Sequence, residues 1–104
     1  MAENWVAVAT TDEVNPGEIR GTKVGDVDIA IYNVDGKFYA TSNVCTHAFA
    51  LLSDGFLDGD VVECPLHAGA FDVKSGKAVC APVTEDIKTY PTRVTGSAVE
   101  IRMD

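Results

Sequence analysis

The chain is poor in cysteine, with Cys45, Cys64 and Cys80 alone among 104 residues. An odd, small count disfavours a pure disulfide scaffold and leaves no set of four for an all-cysteine cluster or zinc site. Basic residues are also scarce, with 8 Lys and Arg against 16 Asp and Glu and a formal net charge of −8. Displacing counterions from phosphates takes a concentrated basic face, so nucleic acid is not an expected partner. Met1 to Thr10 lacks a basic stretch followed by an apolar run, so no secretory signal is expected and a reducing cytoplasm is the expected location. The longest stretch free of Asp, Glu, Lys and Arg, Phe38 to Ser53, contains Thr41, Ser42, Asn43, Thr46 and His47. It is too short and too polar to span a bilayer, so no membrane partner is expected either. What the chain does have is 46% hydrophobic residues, enough for one modest core in a single folded domain over residues 1–104.

Helical periodicity is missing as well, since no apolar stripe runs longer than about two turns. Short alternating runs between glycine turns predict an all-β chain. Trp5 to Ala9, Ile19 to Val24, Val27 to Val34 and Lys37 to Thr41 read as strands, separated by Asn15-Pro16-Gly17, Gly25-Asp26 and Asp35-Gly36. Asp-Gly between alternating runs is a strong hairpin signal, and the first forty residues are expected to form a meander. Thr89 to Val94 and Ala98 to Ile101 flank Thr95-Gly96-Ser97 as a second hairpin that closes the sheet. Trp5, Tyr32, Phe38, Tyr39 and Tyr90 fall on these strands and are expected to be core or cross-strand partners.

Residues from about 43 to 82 are different. Asp54-Gly55, Asp58-Gly59 and Ser75-Gly76 crowd this stretch, so its strands must be very short. It has little apolar area to offset chain entropy, which implies some other tie. All the cysteines and both histidines of the chain lie within it.

The ligand-bearing residues form two pairs, Cys45-Thr46-His47 and Cys64-Pro65-Leu66-His67. Each pair can bring one thiolate and one imidazole to a common point. Zinc accepts two Cys and two His, although its structural sites usually open on a Cys-x(2–4)-Cys knuckle that is missing here. An iron–sulfur cluster of mixed ligation is the other solution, with each loop giving one ligand to each iron. Cys80 reads as a packing residue and stays outside the ligand set.

On these two motifs the chain resembles the Rieske family, along essentially its whole length. Ser53-Asp54-Gly55-Phe56-Leu57-Asp58-Gly59, Gly76 to Val83 and Ile87-Lys88-Thr89-Tyr90-Pro91 are similar to the small Rieske ferredoxins of bacterial aromatic-ring dioxygenases of the naphthalene and nitroarene type. The resemblance implies an antiparallel β-sandwich or barrel-like base with a small cluster-binding subdomain at about 43–82. It implies one 2Fe-2S cluster, with Cys45 and Cys64 on one iron and His47 and His67 on the other, covered by a loop through Pro82. It also implies two partners, an NADH-dependent flavin reductase that supplies an electron and a terminal oxygenase that receives it. The chain itself would be a carrier and not an enzyme.

High-potential relatives carry an extra cysteine in each loop and hydroxyl groups near the cluster. Ala50, Leu66, Gly69 and Phe71 stand in those places here, so neither the disulfide nor those hydrogen bonds can form. Fewer hydrogen bonds to sulfur stabilise the added electron less, which predicts a potential near the low end of the Rieske range, about −150 mV. Phe49, Leu51 and Leu52, just after His47, read either as loop structure or as an apolar docking patch, and part of the acidic surplus can steer a basic partner. Two rival readings stay open on the sequence: the Rieske-like small subunit of an assimilatory nitrite reductase, and a zinc-binding interaction module.

Overall fold

The computed structural model describes residues 4–46, 50–65, 69–80 and 85–103, and its regular structure there is almost entirely antiparallel strand. The all-β expectation holds. Strand β3 (Val27–Val34) is the spine, paired to β2 (Ile19–Val24) on one side and β4 (Lys37–Ser42) on the other. Its side chains alternate between two cores, as a strand buried on both faces must. Ile29 and Ile31 pack with Val14, Ala40, Tyr90, Val99 and Ile101. Ala30 and Tyr32 point the other way and pack with Cys45, Leu52, Val62, Cys64, Phe71, Val73 and Ile87. The β3–β4 turn is the expected two-residue hairpin: Asp35 and Gly36 have φ of 52° and 88°. The buried Asn33 supports it, accepting the Gly36 N–H at 2.7 Å and donating to the Val14 carbonyl at 2.7 Å.

Two sequence expectations need correction. Strand β1 (Trp5–Thr10) does not continue into a meander with β2; it pairs with β11 (Ala98–Arg102), with β10 (Thr92–Thr95) on the far side of β11. The meander is β2-β3-β4 alone, because the connection through the buried Val14 carries the chain from one sheet to the other. The run Thr89 to Val94 is likewise not one strand. It breaks at Pro91 into β9 (Thr89–Tyr90), which pairs with β4, and β10, which pairs with β11. Proline has no N–H for a ladder bond, so the chain changes sheets at that residue. The Pro91 carbonyl still accepts the Arg102 N–H at 3.0 Å.

A third sheet holds β5 (Phe56–Asp58), β6 (Val61–Glu63), β7 (Ala70–Asp72) and β8 (Ala78–Cys80), each of three residues, as short as the turn density requires. Val62, Phe71 and the adjoining Val73 seat it on the Tyr32 face of β3.

Tyr32 fixes that junction. Thr41 donates its hydroxyl to the Ser42 carbonyl at 2.8 Å, so in the 2.8 Å contact between Tyr32 and Thr41 the phenol is the donor. Burial pushes the Tyr32 hydroxyl well above its ordinary value of 10.0. The folded state therefore favours the neutral phenol. Its contribution is complete below the unfolded value near 10 and is lost as pH rises above it, at up to about 1.4 kcal/mol per pH unit. Tyr32→Phe should flatten the loss of stability above pH 10 in denaturant titrations, while costing about 1 kcal/mol at neutral pH for the missing hydrogen bond.

Candidate metal centre

Two hairpins emerge at the Tyr32 face. In the first, Asn43 donates its N–H to the Asp28 carbonyl of β3 at 2.9 Å and accepts the Leu52 N–H at 2.8 Å. Val44 then bridges Leu51, and the Cys45 N–H reaches the Ala50 carbonyl at 3.0 Å. The second is the β6–β7 hairpin, where the Glu63–Ala70 pair is followed by a 2.6 Å bond from the Cys64 N–H to the Gly69 carbonyl. The two closures are equivalent. Each cysteine amide bonds the carbonyl five residues ahead, and each cysteine therefore stands at the last closed rung among the described residues.

His47 and His67 belong to those tips by sequence and lie outside the described residues, as do Phe49, Leu66 and the segment 81–84 that contains Pro82. Cys45 and Cys64 are described. They are 4% and 1% exposed, join the same apolar cluster and are not disulfide-linked. A buried thiolate is costly unless a positive centre compensates it. Two such sulfurs, each at the root of a hairpin whose tip brings a histidine, fit a cluster that takes two thiolates and two imidazoles.

The surroundings sharpen several expectations. Phe71 is fully buried and offers no hydroxyl. Leu52 is also fully buried, so it belongs to the core and leaves the docking patch; among the described residues its neighbour Leu51, 39% exposed beside Val44 at 38%, keeps that reading. Cys80 contributes its backbone to β8 opposite Ala70. The flanks of 81–84 are tied down: Ala78 N–H donates to the Asp86 carboxylate at 3.0 Å, and Ile87 N–H to the Gly76 carbonyl at 2.8 Å. Thr46, between Cys45 and His47, donates its hydroxyl to the Glu85 carbonyl at 3.1 Å, joining the first hairpin to that segment. Sequence reading missed Thr46, Asn43 and Ser53, since polar residues in a turn-rich stretch carry no local mark of their partners.

An all-β fold that roots Cys45 and Cys64 in one apolar core, each with a histidine close behind it in sequence, fits an iron–sulfur protein of mixed ligation. The match to the Rieske 2Fe-2S domain model spans residues 4–91, and the chain belongs to the Rieske family. It is 49% identical over 104 residues, the full length of both chains, to the ferredoxin component of the naphthalene 1,2-dioxygenase/salicylate 5-hydroxylase systems of Ralstonia sp. A solved complex of reduced oxygenase and oxidized ferredoxin in carbazole 1,9a-dioxygenase contains a chain 39% identical to it, with TM-score 0.90 and coverage of 97% and 94%. A candidate NADH-dependent nitrite reductase small subunit from Mycobacterium tuberculosis, 24% identical with TM-score 0.86 over 100% of this chain and 98% of that one, shares the fold alone. The protein is a ferredoxin carrying one Rieske 2Fe-2S cluster, an electron carrier and not a catalyst. These relatives replace the zinc reading and weaken the nitrite reductase one.

Gly55 marks how tightly the cysteine strands are set. A Cβ there would strike the Glu63 carbonyl, one residue before Cys64. Gly55→Ala should cost about 1–3 kcal/mol in chemical denaturation, as overpacking does, and should speed loss of visible absorbance from the loaded protein.

Proposed function

We propose that Cys45 and Cys64 hold one iron and His47 and His67 the other, within a cluster-binding subdomain at about 43–82 of a single domain spanning 1–104. The observation that carries this assignment is the equivalence of the two hairpins, each closed at its cysteine and each bearing one histidine in its tip sequence. With neutral imidazoles, two ferric ions balance two sulfides and two thiolates, so the oxidised centre has no net formal charge and reduction adds one negative unit. Four thiolates would begin two units more negative and resist the electron more, which places mixed ligation at higher potential.

The electron comes from an NADH-dependent flavin reductase and passes to the terminal oxygenase of an aromatic-ring dioxygenase, in the cytoplasm. The relatives' own names and the solved oxygenase–ferredoxin complex support the oxygenase end of this route. Among the described residues no helix is long and apolar enough to cross a membrane. Val44 and Leu51, exposed at the root of the first hairpin, supply apolar contact near the tip, and weak redox encounters need only a small interface.

Dithionite reduction followed by low-temperature EPR tests the ligand set: wild type should give the Rieske signal, and His47→Ala and His67→Ala should each lose it. Retention of the full signal by either variant overturns the assignment. Potentiometric titration should give a midpoint at the low end of the Rieske range, about −150 mV; a clearly positive value contradicts it. Partner turnover should fall as salt rises from about 0.01 M to about 1 M, where the Debye length shrinks from about 30 Å to about 3 Å. Turnover indifferent to salt excludes electrostatic steering.

A further inference from the structure

The first hairpin is held at its root by a side chain as well as by its backbone bonds. Asn43 is 2% exposed, two residues before Cys45, and every polar group of it is used. Its backbone N–H and carbonyl bond Asp28 and Leu52. Its Oδ1 accepts the Ser53 N–H at 2.8 Å, and its Nδ2 donates to Ser53 Oγ at 2.9 Å. Two independent features place this contact under constraint. Ser53 belongs to the 3-10 turn Leu52–Asp54, whose Leu52 is locked in the core, so the partner cannot drift. Gly21 of β2 lies against the pair: a Cβ there would come within 2.7 Å of Ser53 Oγ and 2.9 Å of Asn43 Nδ2. The base sheet thus closes on the clamp from outside, and β3 holds it from beneath through Asp28.

We propose that Asn43, with Ser53 as its partner and Gly21 as the wall, is a positioning device for the cluster: it sets the angle at which the hairpin bearing Cys45 and His47 meets the base sheet. The inference rests on the ligand assignment above. The short ladder above the clamp, from the Asn43–Leu52 bond through Val44–Leu51 to Cys45–Ala50, transmits that angle directly to the sulfur-bearing residue. A side-chain amide suits this role because it offers one acceptor and two donors in a fixed plane, and buried amide bonds that are fully satisfied specify a single arrangement. Asn43 does not touch iron, so its effect must appear in the ligand geometry and not in chemistry of its own.

Asn43→Ala, Ser53→Ala and Gly21→Ala should be made in the loaded ferredoxin, with Ile101→Val or Ile101→Ala in the other core as a control matched in melting temperature. Asn43→Ala should broaden or shift the EPR g-values of the reduced cluster and speed cluster loss on dilution by tenfold or more, while the control leaves both unchanged. Ser53→Ala removes one of the two side-chain bonds and should speed loss by twofold to threefold in the same direction, which keeps the test decisive if Asn43→Ala fails to fold. Because the Gly21 methyl acts through Ser53 Oγ, Ser53→Ala should partly rescue Gly21→Ala, giving a double variant that loses cluster more slowly than Gly21→Ala alone. Variants that only lower melting temperature, with g-values and loss rate no different from the control, overturn the clamp. That outcome is separate from failure of the ligand assignment, which would show as a Rieske signal surviving His47→Ala in the wild-type background.

Discussion

The structure depends on β3 being buried on both of its faces. Ile29 and Ile31 anchor the two-sheet base, and Ala30 and Tyr32 receive Cys45, Leu52, Val62, Cys64, Phe71 and Val73 from residues 43–80. That second part consists of three-residue strands, each too short to bury a core of its own. It is seated on the base where Leu52, Val62, Phe71, Val73 and Ile87 share a buried cluster with Tyr32. Cys45 and Cys64 share that same cluster, so the sulfurs are rooted in the part of the fold that alternation along one strand makes rigid. Burial of these side chains, at about 25 cal/mol per Å², helps seat the two cysteines against the base.

Hydrophobic burial is non-directional, however, and cannot by itself fix the angle of a hairpin. Directional bonds supply what is left. The Cys45 and Cys64 amides close the rungs, Asn43 and Ser53 clamp one root, and Thr46 ties its tip to the Glu85 carbonyl. Asp72 caps the turn before β8 by accepting the Lys74 and Ser75 N–H groups, and Gly76 meets Ile87 there. Each bond is worth only about 1 kcal/mol net, but a carrier that gains and loses one electron benefits from ligands that hold their places in both states.

How much of this was legible follows from which interactions are local. Asp35-Gly36 declared its hairpin because two adjacent residues adopt positive φ and need no distant partner. Cys45, His47, Cys64 and His67 stood out because ligand chemistry restricts residue type and spacing together. The pairing of β1 with β11 was hidden, since alternation in Trp5–Thr10 says which face is apolar and nothing about which strand lies alongside. Pro91 was a local signal of another kind: its missing N–H breaks Thr89 to Val94 between sheets. Leu52 and Leu51 are adjacent in sequence, yet one is sealed in the core and the other faces solvent, a division that only the 3-10 turn decides. Asn43 and Ser53 look like ordinary loop polarity until their ten-residue contact closes.

The surface charge then takes a definite character. Several of the few cations are engaged within the molecule itself: Arg93 stacks on Trp5 at 4.2 Å and pairs with Glu100, Lys88 lies over Tyr90 at 4.9 Å, Lys74 meets Tyr39 and Asp60, and Arg20 meets Glu13. Such exposed pairs contribute little to stability. Their consequence is electrostatic, because a cation held against its own anion or ring is less able to present positive charge to a partner. The net charge of −8 is therefore felt outside the molecule as a negative field, long in range at low salt and short at high salt. Val44 and Leu51 add apolar contact close to the first hairpin. Under the proposed route, a partner drawn in by charge and held by a small apolar contact would bind and leave quickly, as repeated one-electron delivery requires.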